Sequence, residues 1–186
     1  MKRSFDFIFV LFAGLLFFIP MVAVALAVGV TSPGPVLYWS DRVGRHNKIF
    51  KMPKFRSMRI DAPAVATHLL VNPQQWLTPV GRFLRQSSLD ELPQLWSILR
   101  GDMSFVGPRP ALFNQEDLIA LRKEMGVDVL LPGLTGWAQI NGRDEISISE
   151  KIKLDLEYLQ RQSFLFDIRI LWMTAIKVIL RNGVSH

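Results

Sequence analysis

Cysteine is absent from the 186 residues of this chain, and histidine occurs only three times. The lack of cysteine excludes disulfides, thiolate nucleophiles and cysteine-ligated zinc, although it leaves the cellular compartment open. His46, His68 and His186 are too scattered to predict a zinc site. Lysine-rich arms and RNA-binding aromatic motifs are also missing, so the net charge of +6 does not indicate nucleic-acid binding. Membrane contact and acidic ligands are the leading explanations for a basic chain that is 49% hydrophobic.

Charged residues are missing from a long stretch near the start of the chain, between Asp6 and Asp41. As a helix, the apolar run over residues 7–30 would be about 36 Å long, whereas the hydrocarbon core of a bilayer is about 30 Å thick. A single spanning helix is therefore the simplest interpretation. A cleavable signal peptide fits less well, because the run is too long and no small-residue cleavage pattern follows it.

Two features favour a re-entrant hairpin over a full span, although the spanning alternative stays open. Pro20 lies in the middle of the run, where it lacks an N–H and crowds the carbonyl one turn earlier, so it should kink or break a helix. Basic residues flank both ends of the run, and both flanks therefore favour the cytoplasmic side. They are Lys2, Arg3, Arg42, Arg45, Lys48, Lys51, Lys54, Arg56 and Arg59. We predict that residues 1–40 form a membrane anchor that bends at Pro20 and returns to the same face.

The rest of the sequence favours an α+β fold that is mainly helical, with a small number of short strands. Residues 31–39 are typical of a turn that leads into a strand. Helices are predicted over residues 91–100 and 113–125, because each stretch stops before a glycine that can cap it. Asn141 and Gly142 predict a turn.

Two amphipathic helices are predicted in the last 40 residues. Ser147 and Glu150 form a capping box that opens a helix to about Gln162. Residues 164–181 mix large apolar side chains with charged ones. This segment is too charged to span a bilayer and too apolar to be a free surface helix. We therefore expect it at the membrane interface or against the anchor.

Two adjacent carboxylates, Asp90 and Glu91, stand at the start of the helix predicted over residues 91–100. One interpretation is purely structural: Ser88 and Glu91 match a capping box, and the acidic pair would face the positive end of the helix dipole. Pro93 weakens that capping box, because a helix capped by Ser88 would lose an internal hydrogen bond there. The second interpretation is a carboxylate nucleophile that receives a phosphoryl group, with backbone N–H groups and a divalent metal compensating the charge.

Fixed cations elsewhere in the chain support the second interpretation. They are Lys54, Arg56, Arg85, Arg109 and Arg143. Each of these side chains, taken alone, is more typical of a solvated surface charge or a lipid-headgroup contact. Only their combination with the carboxylate pair indicates a phosphate site.

The segments KFRSM, SLDELPQLWSILRGDMSFVGPRP, LPGLTGWAQINGR and NGVS resemble, in this order, the bacterial sugar transferase family of small monotopic phosphoglycosyl transferases. The resemblance covers nearly the whole chain. It implies an enzyme that transfers a sugar 1-phosphate from a UDP-sugar to undecaprenyl or another polyprenyl phosphate and releases UMP, the first membrane step of glycoconjugate assembly. It also implies that residues 41–186 form a catalytic domain, with interfacial helices, on the cytoplasmic face of the bacterial inner membrane.

The same resemblance implies roles for individual residues. Asp90 corresponds to the family's nucleophile, which would carry the phosphosugar covalently, and Glu91 to a residue that supports metal binding and proton transfer. Both carboxylates would bind Mg²⁺, the expected cofactor. The family's basic, substrate-binding positions correspond to Lys54, Arg85, Arg109 and Arg143. For Arg85, a contact that holds the anchor against the catalytic part is the alternative role.

Two positions depart from the family's pattern. Ile19 precedes Pro20 where the family usually has a serine, so a hydroxyl that could satisfy a backbone carbonyl at the bend is missing. Pro53 precedes Lys54 where a residue with an N–H is commoner, so we expect a stiffer loop around this lysine.

Two other functions stay open as alternatives. A metal-dependent lipid-diphosphate phosphohydrolase would use the same residues with water as the final acceptor. A non-enzymatic membrane scaffold would use Asp90 and Glu91 only to cap a helix. Membrane phospholipid is an expected partner, nucleic acid is not, and a homo-oligomer is left open. The transferred sugar, the prenyl length and the downstream pathway are not indicated by the sequence.

Overall fold

The computed structural model describes residues 2–63, 72–142 and 146–179. The helices are α1 Lys2–Leu16, α2 Phe18–Thr31, α3 Gly81–Ser87, α4 Leu95–Arg100, α5 Glu116–Glu124, α6 Trp137–Asn141, α7 Ile148–Arg161 and α8 Phe164–Ile179. The strands are β1 Leu37–Val43, β2 Ile49–Phe55, β3 Ser104–Val106, β4 Ala111–Leu112 and β5 Gly133–Thr135. The predicted α+β class, mainly helical with short strands, is confirmed.

The strands form two small sheets. β1 is the central strand of an antiparallel sheet with the order β2-β1-β4, and β3 pairs in parallel with β5. Pro53 lies within β2, which tolerates it because β2 is an edge strand. The prediction that Lys54 lies in a stiff loop is therefore wrong, because Lys54 lies on this edge strand opposite Tyr38.

α1 and α2 meet at an angle of 61° around Phe17, three residues before the predicted bend at Pro20. In a continuous helix Pro20 would have no N–H to donate to the Leu16 carbonyl, and its ring would crowd that carbonyl. The break therefore precedes Pro20, which lies in the first turn of α2, where a missing N–H costs nothing. Backbone hydrogen bonds from Phe17 to Ala13 and from Met21 to Phe17 continue on both sides of the break.

No single helix in the described part of the chain is long and apolar enough to cross a bilayer, but α1 and α2 together have sufficient length and composition. The two helices expose a large apolar surface. It includes Ile8, Leu11, Phe12, Leu15, Leu16, Phe18, Ile19, Leu26 and Val30. Such patches mark membrane or protein contacts. The re-entrant topology and the domain boundary at residue 40 stay predictions.

Basic side chains at the start of α1 attach this helix to the rest of the molecule. Lys2 Nζ lies 2.5 Å from Asp167 Oδ2 on α8. Arg3 donates hydrogen bonds to the carbonyls of Ile98 and Leu99, at 2.5 and 2.6 Å. These carbonyls lie at the C-terminal end of α4, where the helix dipole favours a cation. Two of the basic residues predicted to flank the apolar run therefore hold α1 in place.

A buried carboxylate and an apolar seam complete the attachment of α1. Asp6 accepts hydrogen bonds at 3.1 Å from Ser104 Oγ and from the Phe105 N–H of β3. Its neighbour along the helix face, Val10, belongs to the same hydrophobic core as Ile170 of α8. α1 thus packs into the main core of the described structure.

Arg56, one of the predicted phosphate cations, has a structural role instead. It is buried, and its guanidinium donates to the Ser32 carbonyl, the Ser32 hydroxyl and the Pro33 carbonyl after α2. Gly34 follows with φ of 108°, and a Cβ there would lie 2.4 Å from Arg56 Nη1, so only glycine fits beside the guanidinium. The prediction that Arg56 belongs to a phosphate site is wrong, because both of its terminal nitrogens, Nη1 and Nη2, donate to groups at the end of α2.

The C-terminal helices match the sequence in most respects. α5 ends before Gly126, which has φ of 70°, and the capping box of Ser147 and Glu150 opens α7 as predicted. Asn141 is the last residue of the short helix α6 and Gly142 follows it in a turn, so the predicted turn is confirmed at Gly142 but not at Asn141.

α8 packs against the anchor. The ring of Phe164 meets the ring of Phe5 edge to face, with centroids 5.3 Å apart, and Lys2 of α1 pairs with Asp167 as described. The expectation that this amphipathic segment lies against the anchor is confirmed. Its contact with a bilayer stays a prediction, supported by exposed side chains such as Leu165 and Trp172.

Candidate active site

The carboxylate pair lies on a 3₁₀ helix, Leu89–Gln94, between α3 and α4. Ser88 adopts a left-handed conformation and its side chain makes no capping hydrogen bond, so the capping-box interpretation is wrong. The predicted helical stretch over residues 91–100 is confirmed, but its first part is 3₁₀ and the α-helix α4 begins only at Leu95. Pro93 explains both, because it cannot donate the backbone hydrogen bond that an α-helix needs at this position. The tighter 3₁₀ turn directs Asp90 and Glu91 into the protein.

Glu91 binds two cations that come from distant parts of the chain. Lys54 Nζ of β2 lies 2.7 Å from Glu91 Oε1, and Arg109 Nη2 lies 3.0 Å from the same oxygen. β2 packs directly on the 3₁₀ helix, which places Lys54 there. Burial disfavours the charged form of Glu91, but the two cations outweigh burial and hold its pKa below the ordinary range. Glu91 is therefore ionised and fixed in position.

Asp90 has the opposite electrostatic balance. Asp90 is only 7% exposed, and its pKa is raised to about 6. Burial is the largest cause; the charge of Lys54 opposes it, the neighbouring charge of Glu91 adds to the rise, and Arg85 and Arg109 lower the pKa. Asp90 is thus ionised at neutral pH, but its charge is poorly compensated. An under-compensated carboxylate suits a nucleophile or a metal ligand.

A buried ion pair positions the loop that carries Arg109. Arg122 of α5 pairs with Asp155 Oδ2 of α7, at 3.0 Å from Nε and 2.7 Å from Nη2. Its remaining Nη1 donates to the Arg109 carbonyl at 2.8 Å. Burial raises the pKa of Asp155, and Arg122 opposes this shift. The pair therefore fixes the backbone from which the Arg109 side chain reaches Glu91.

Close backbone packing fixes the other side of the same loop. A Cβ on Gly107 would lie 2.3 Å from the Leu131 carbonyl oxygen, and one on Gly136 would lie 2.1 Å from the Gly107 carbonyl oxygen. Gly133 N donates to the Pro108 carbonyl at 2.9 Å. The glycines of the GPRP and LPGLTG segments are thus explained by the approach of two backbones.

The structure brings together most of the predicted site residues. Asp90, Glu91, Lys54 and Arg109 form one cluster. Arg85, on α3, lies close enough to lower the pKa of Asp90, and its Nη1 lies 3.6 Å from Met58 Sδ. Arg143 lies outside the described residues. The catalytic and binding roles of these side chains stay predictions.

Sequence reasoning missed Arg122 and Asp155. One signal for Asp155 was available: it lies on α7 between buried Ile152 and buried Tyr158, three residues from each, so it shares their inward face. A charged residue at such a position needs a buried partner. The partner itself, 33 residues away, could not be read from the pattern.

An apolar cavity of about 410 Å³ opens beside the carboxylate pair. Its apolar wall includes Phe12, Leu16, Leu92, Leu95, Leu134 and Leu171. Its polar lining includes Glu91, Arg109, Gln139 and Lys177. Gln139 Oε1 is buried and has no hydrogen-bond partner among the described residues. The cavity therefore combines a hydrophobic wall with a few polar groups, as ligand sites usually do.

The donor set for a metal is small. The described residues contain no group of three or more His, Asp or Glu side chains that could hold an ion. Asp90 and Glu91 are adjacent carboxylates, and Glu91 already binds two cations through Oε1. Magnesium commonly uses one or two carboxylates together with waters and substrate phosphates. The pair therefore fits Mg²⁺ that is shared with a phosphorylated ligand.

Comparison with known proteins gives consistent matches. The family model described as bacterial sugar transferase matches residues 1–181. The uncharacterized sugar transferase EpsL of Bacillus subtilis is 37% identical over 100% of this chain and 91% of its own length. The UDP-glucose:undecaprenyl-phosphate glucose-1-phosphate transferase of Escherichia coli is 40% identical over 95% of this chain. The undecaprenyl-phosphate galactose phosphotransferase of Salmonella typhimurium is 39% identical over 81% of it.

The relatives differ in length. The matched region makes up 40% of the Escherichia coli protein and 34% of the Salmonella typhimurium protein. The similarity to these two transferases therefore concerns one part of each, whereas the similarity to EpsL concerns nearly the whole protein.

Proposed function

The chain belongs to the bacterial sugar transferase family, and we propose that it transfers a sugar 1-phosphate from a UDP-sugar to undecaprenyl or a similar polyprenyl phosphate. One observation carries the proposal. The carboxylate pair, in which Glu91 forms ion pairs with Lys54 and Arg109, borders an apolar cavity next to a bent, apolar helix pair. This arrangement suits one soluble, highly charged substrate and one lipid substrate. The names of the relatives include both glucose and galactose, so the sugar is left unassigned.

Asp90 is the proposed nucleophile. Its carboxylate forms a bond to the β-phosphorus of the UDP-sugar while the bond from that phosphorus to the bridging oxygen breaks, and UMP leaves. A phosphate oxygen of the acceptor lipid then attacks the same phosphorus, and Asp90 is released as a carboxylate. The raised pKa of Asp90 supports this role, because a more basic carboxylate is a better nucleophile once ionised.

Glu91, Lys54 and Arg109 have different proposed roles. Glu91 holds the two cations next to Asp90. Arg109 is stiffened by Pro108 and Pro110 on either side and can turn its guanidinium fork to a phosphate of the donor. Mg²⁺ bound by Asp90 and Glu91 would neutralise charge on the diphosphate. These cations compensate the repulsion between an anionic nucleophile and an anionic substrate.

We also propose a location. α1 and α2 form a re-entrant anchor in the bacterial inner membrane, and the carboxylate site lies on the cytoplasmic face, where UDP-sugars are available. Support comes from the 61° bend, the exposed apolar surface of both helices, and the polar contacts of Lys2, Arg3 and Asp6 with the catalytic part. The partners in those contacts follow α2 in the chain. If α1 and α2 formed one straight spanning helix, the start of α1 and these partners would lie on opposite sides of the bilayer and could not meet.

The decisive test is the intact mass of the protein after rapid mixing with UDP-sugars and Mg²⁺, without acceptor. We expect an adduct with the mass of one phosphosugar on the wild type and none on Asp90→Asn. UMP release that requires both substrates, with no adduct at any time, would contradict the covalent route and leave direct transfer.

The same assay separates the alternatives. Adding undecaprenyl phosphate should discharge the adduct into a lipid-linked diphosphate sugar. Free sugar phosphate that forms equally fast without the lipid would indicate the phosphohydrolase. If Asp90→Ala changes none of these products with any UDP-sugar tested, the non-enzymatic scaffold is indicated.

A further inference from the structure

The apolar cavity is continuous with the exposed surface of the bent helix pair. Phe12 and Leu16 of α1 line the cavity, yet each exposes more than half of its side-chain surface. On the opposite wall, Leu171 and Thr174 of α8 face the same space. A ligand can therefore lie partly between α1 and α8 and extend directly onto the apolar surface of the anchor.

One cation in this cavity is unused by the carboxylate site. Lys177 lines the cavity from the last turn of α8, is half-buried, and makes no hydrogen bond or ion pair with the described residues. Lys54 and Arg109 are instead bound to Glu91. A cation that borders an apolar cavity gains more from an anionic ligand than one in open solvent, because less water is available there to compensate the charges. Lys177 is therefore available to bind an anionic group of a ligand in the cavity.

We propose that this cavity is the binding site of the acceptor lipid, in which Lys177 binds the phosphate of a polyprenyl phosphate and the α1–α8 groove holds its first isoprene units. The inference rests on the proposed function and deepens it, because it assigns the lipid to a defined pair of helices. A cavity of about 410 Å³ has the size of a site for a small ligand and is too small for a long polyprenyl chain, so the proposed site holds the phosphate end while the remaining prenyl chain extends along the anchor into the bilayer.

Chemical complementarity favours this occupant over the donor. A UDP-sugar carries hydroxyls, a base and two phosphates, and placing these against Leu16, Leu92 and Leu171 would leave polar groups without partners. A linear polyprenyl chain with one terminal phosphate needs only an apolar wall and one or two cations. Arg109 and Glu91, the neighbour of Asp90, line the same cavity as Lys177, so a phosphate bound by Lys177 shares this space with the carboxylate site.

The test uses the full chain in detergent with a photolabile, diazirine-bearing geranylgeranyl phosphate and no nucleotide sugar. We expect the label within residues 9–17 and 171–178, and we expect undecaprenyl phosphate to compete with it. The probe concentration for half-maximal labelling should rise about tenfold in Lys177→Met and return towards the wild-type value in Lys177→Arg. Arg169→Met is the matched control, since Arg169 is an exposed cation of α8 that does not line the cavity.

Each other outcome overturns the proposal in a recognisable way. Labels that map elsewhere place the lipid outside the groove. Equal competition by dioleoyl phosphatidate indicates a general phospholipid site, and competition by inorganic phosphate alone indicates a simple anion site. An unchanged labelling curve in Lys177→Met removes Lys177 from the site. Because labelling requires no turnover, a wild type that binds the probe here but releases no UMP from any donor would refute the proposed function and leave the lipid site standing.

Discussion

Asp90→Asn and Glu91→Gln should change stability in opposite directions, although the two residues are adjacent and both changes remove one negative charge. The pKa of Asp90 is raised from 3.8 to about 6, so its ionised form destabilises the folded state. The shift corresponds to roughly 3 kcal/mol at pH 8, because each unit is worth about 1.4 kcal/mol. Burial of the new amide reduces the gain, so we expect Asp90→Asn to stabilise the protein by about 1–3 kcal/mol.

Glu91→Gln removes the anion that binds Lys54 and Arg109. The lowered pKa of Glu91 means that its ionised form stabilises the fold, so the loss is present at neutral pH. We expect a destabilisation of about 2 kcal/mol, since two partly buried cations then lose their ion pair with Glu91. In melting temperature, each kcal/mol corresponds to about 2–4 °C for a chain of this size.

The size of the Asp90→Asn effect depends on pH. The Asp90 penalty is absent below about pH 4, where the carboxyl is protonated in both the folded and the unfolded state, and it is fully present above about pH 6. Thermal melts in detergent with chelator should therefore show a gap between Asp90→Asn and wild type that opens between pH 4 and pH 7. Asp41→Asn, which removes one partner of the exposed pair with Lys51, is the control and should change little. An Asp90→Asn protein that melts at or below the wild-type temperature at pH 8 would refute the reasoning.

Four further predictions concern function. The rate of phosphosugar adduct formation should fall about tenfold per pH unit below pH 6, because Asp90 becomes protonated. Rapid quench-flow with intact-mass detection across pH 4.5–8 measures this rate. Mg²⁺ should raise the melting temperature of the wild type and lose most of that effect in Asp90→Asn; equal shifts in both would place the ion elsewhere. Asp155→Asn should lower kcat about tenfold by releasing Arg122 from the Arg109 carbonyl, and an unchanged kcat would show that the pair only supports the fold. Pro20→Leu should restore a continuous helix and expose a cysteine placed at Ser4 to external labelling in intact cells, whereas labelling equal to wild type would mean that the bend does not depend on Pro20.

Local sequence rules predicted the features that depend on neighbouring residues. The capping box at Ser147 formed because both partners lie within one helical turn. The break between α1 and α2 followed from the chemistry of Pro20, which acts on the carbonyl four residues earlier; the rule located the break to within one turn. Pro93 had the same kind of effect, and it correctly counted against a cap at Ser88. The motifs with Asp90 were sufficient to indicate the family.

Tertiary packing decided which charges belong to the site. Lys54 and Glu91 are 37 residues apart, and Arg122 and Asp155 are 33 apart, so neither pair is visible in any local pattern. From sequence alone, Arg56 and Lys54 were equivalent cations two positions apart, but β2 turns Lys54 towards Glu91 whereas Arg56, just past the strand, closes the end of α2. The opposite pKa shifts of Asp90 and Glu91 have the same origin. Burial and the distance to a cation are set by the folded arrangement, whereas the sequence states only that two acidic residues are adjacent.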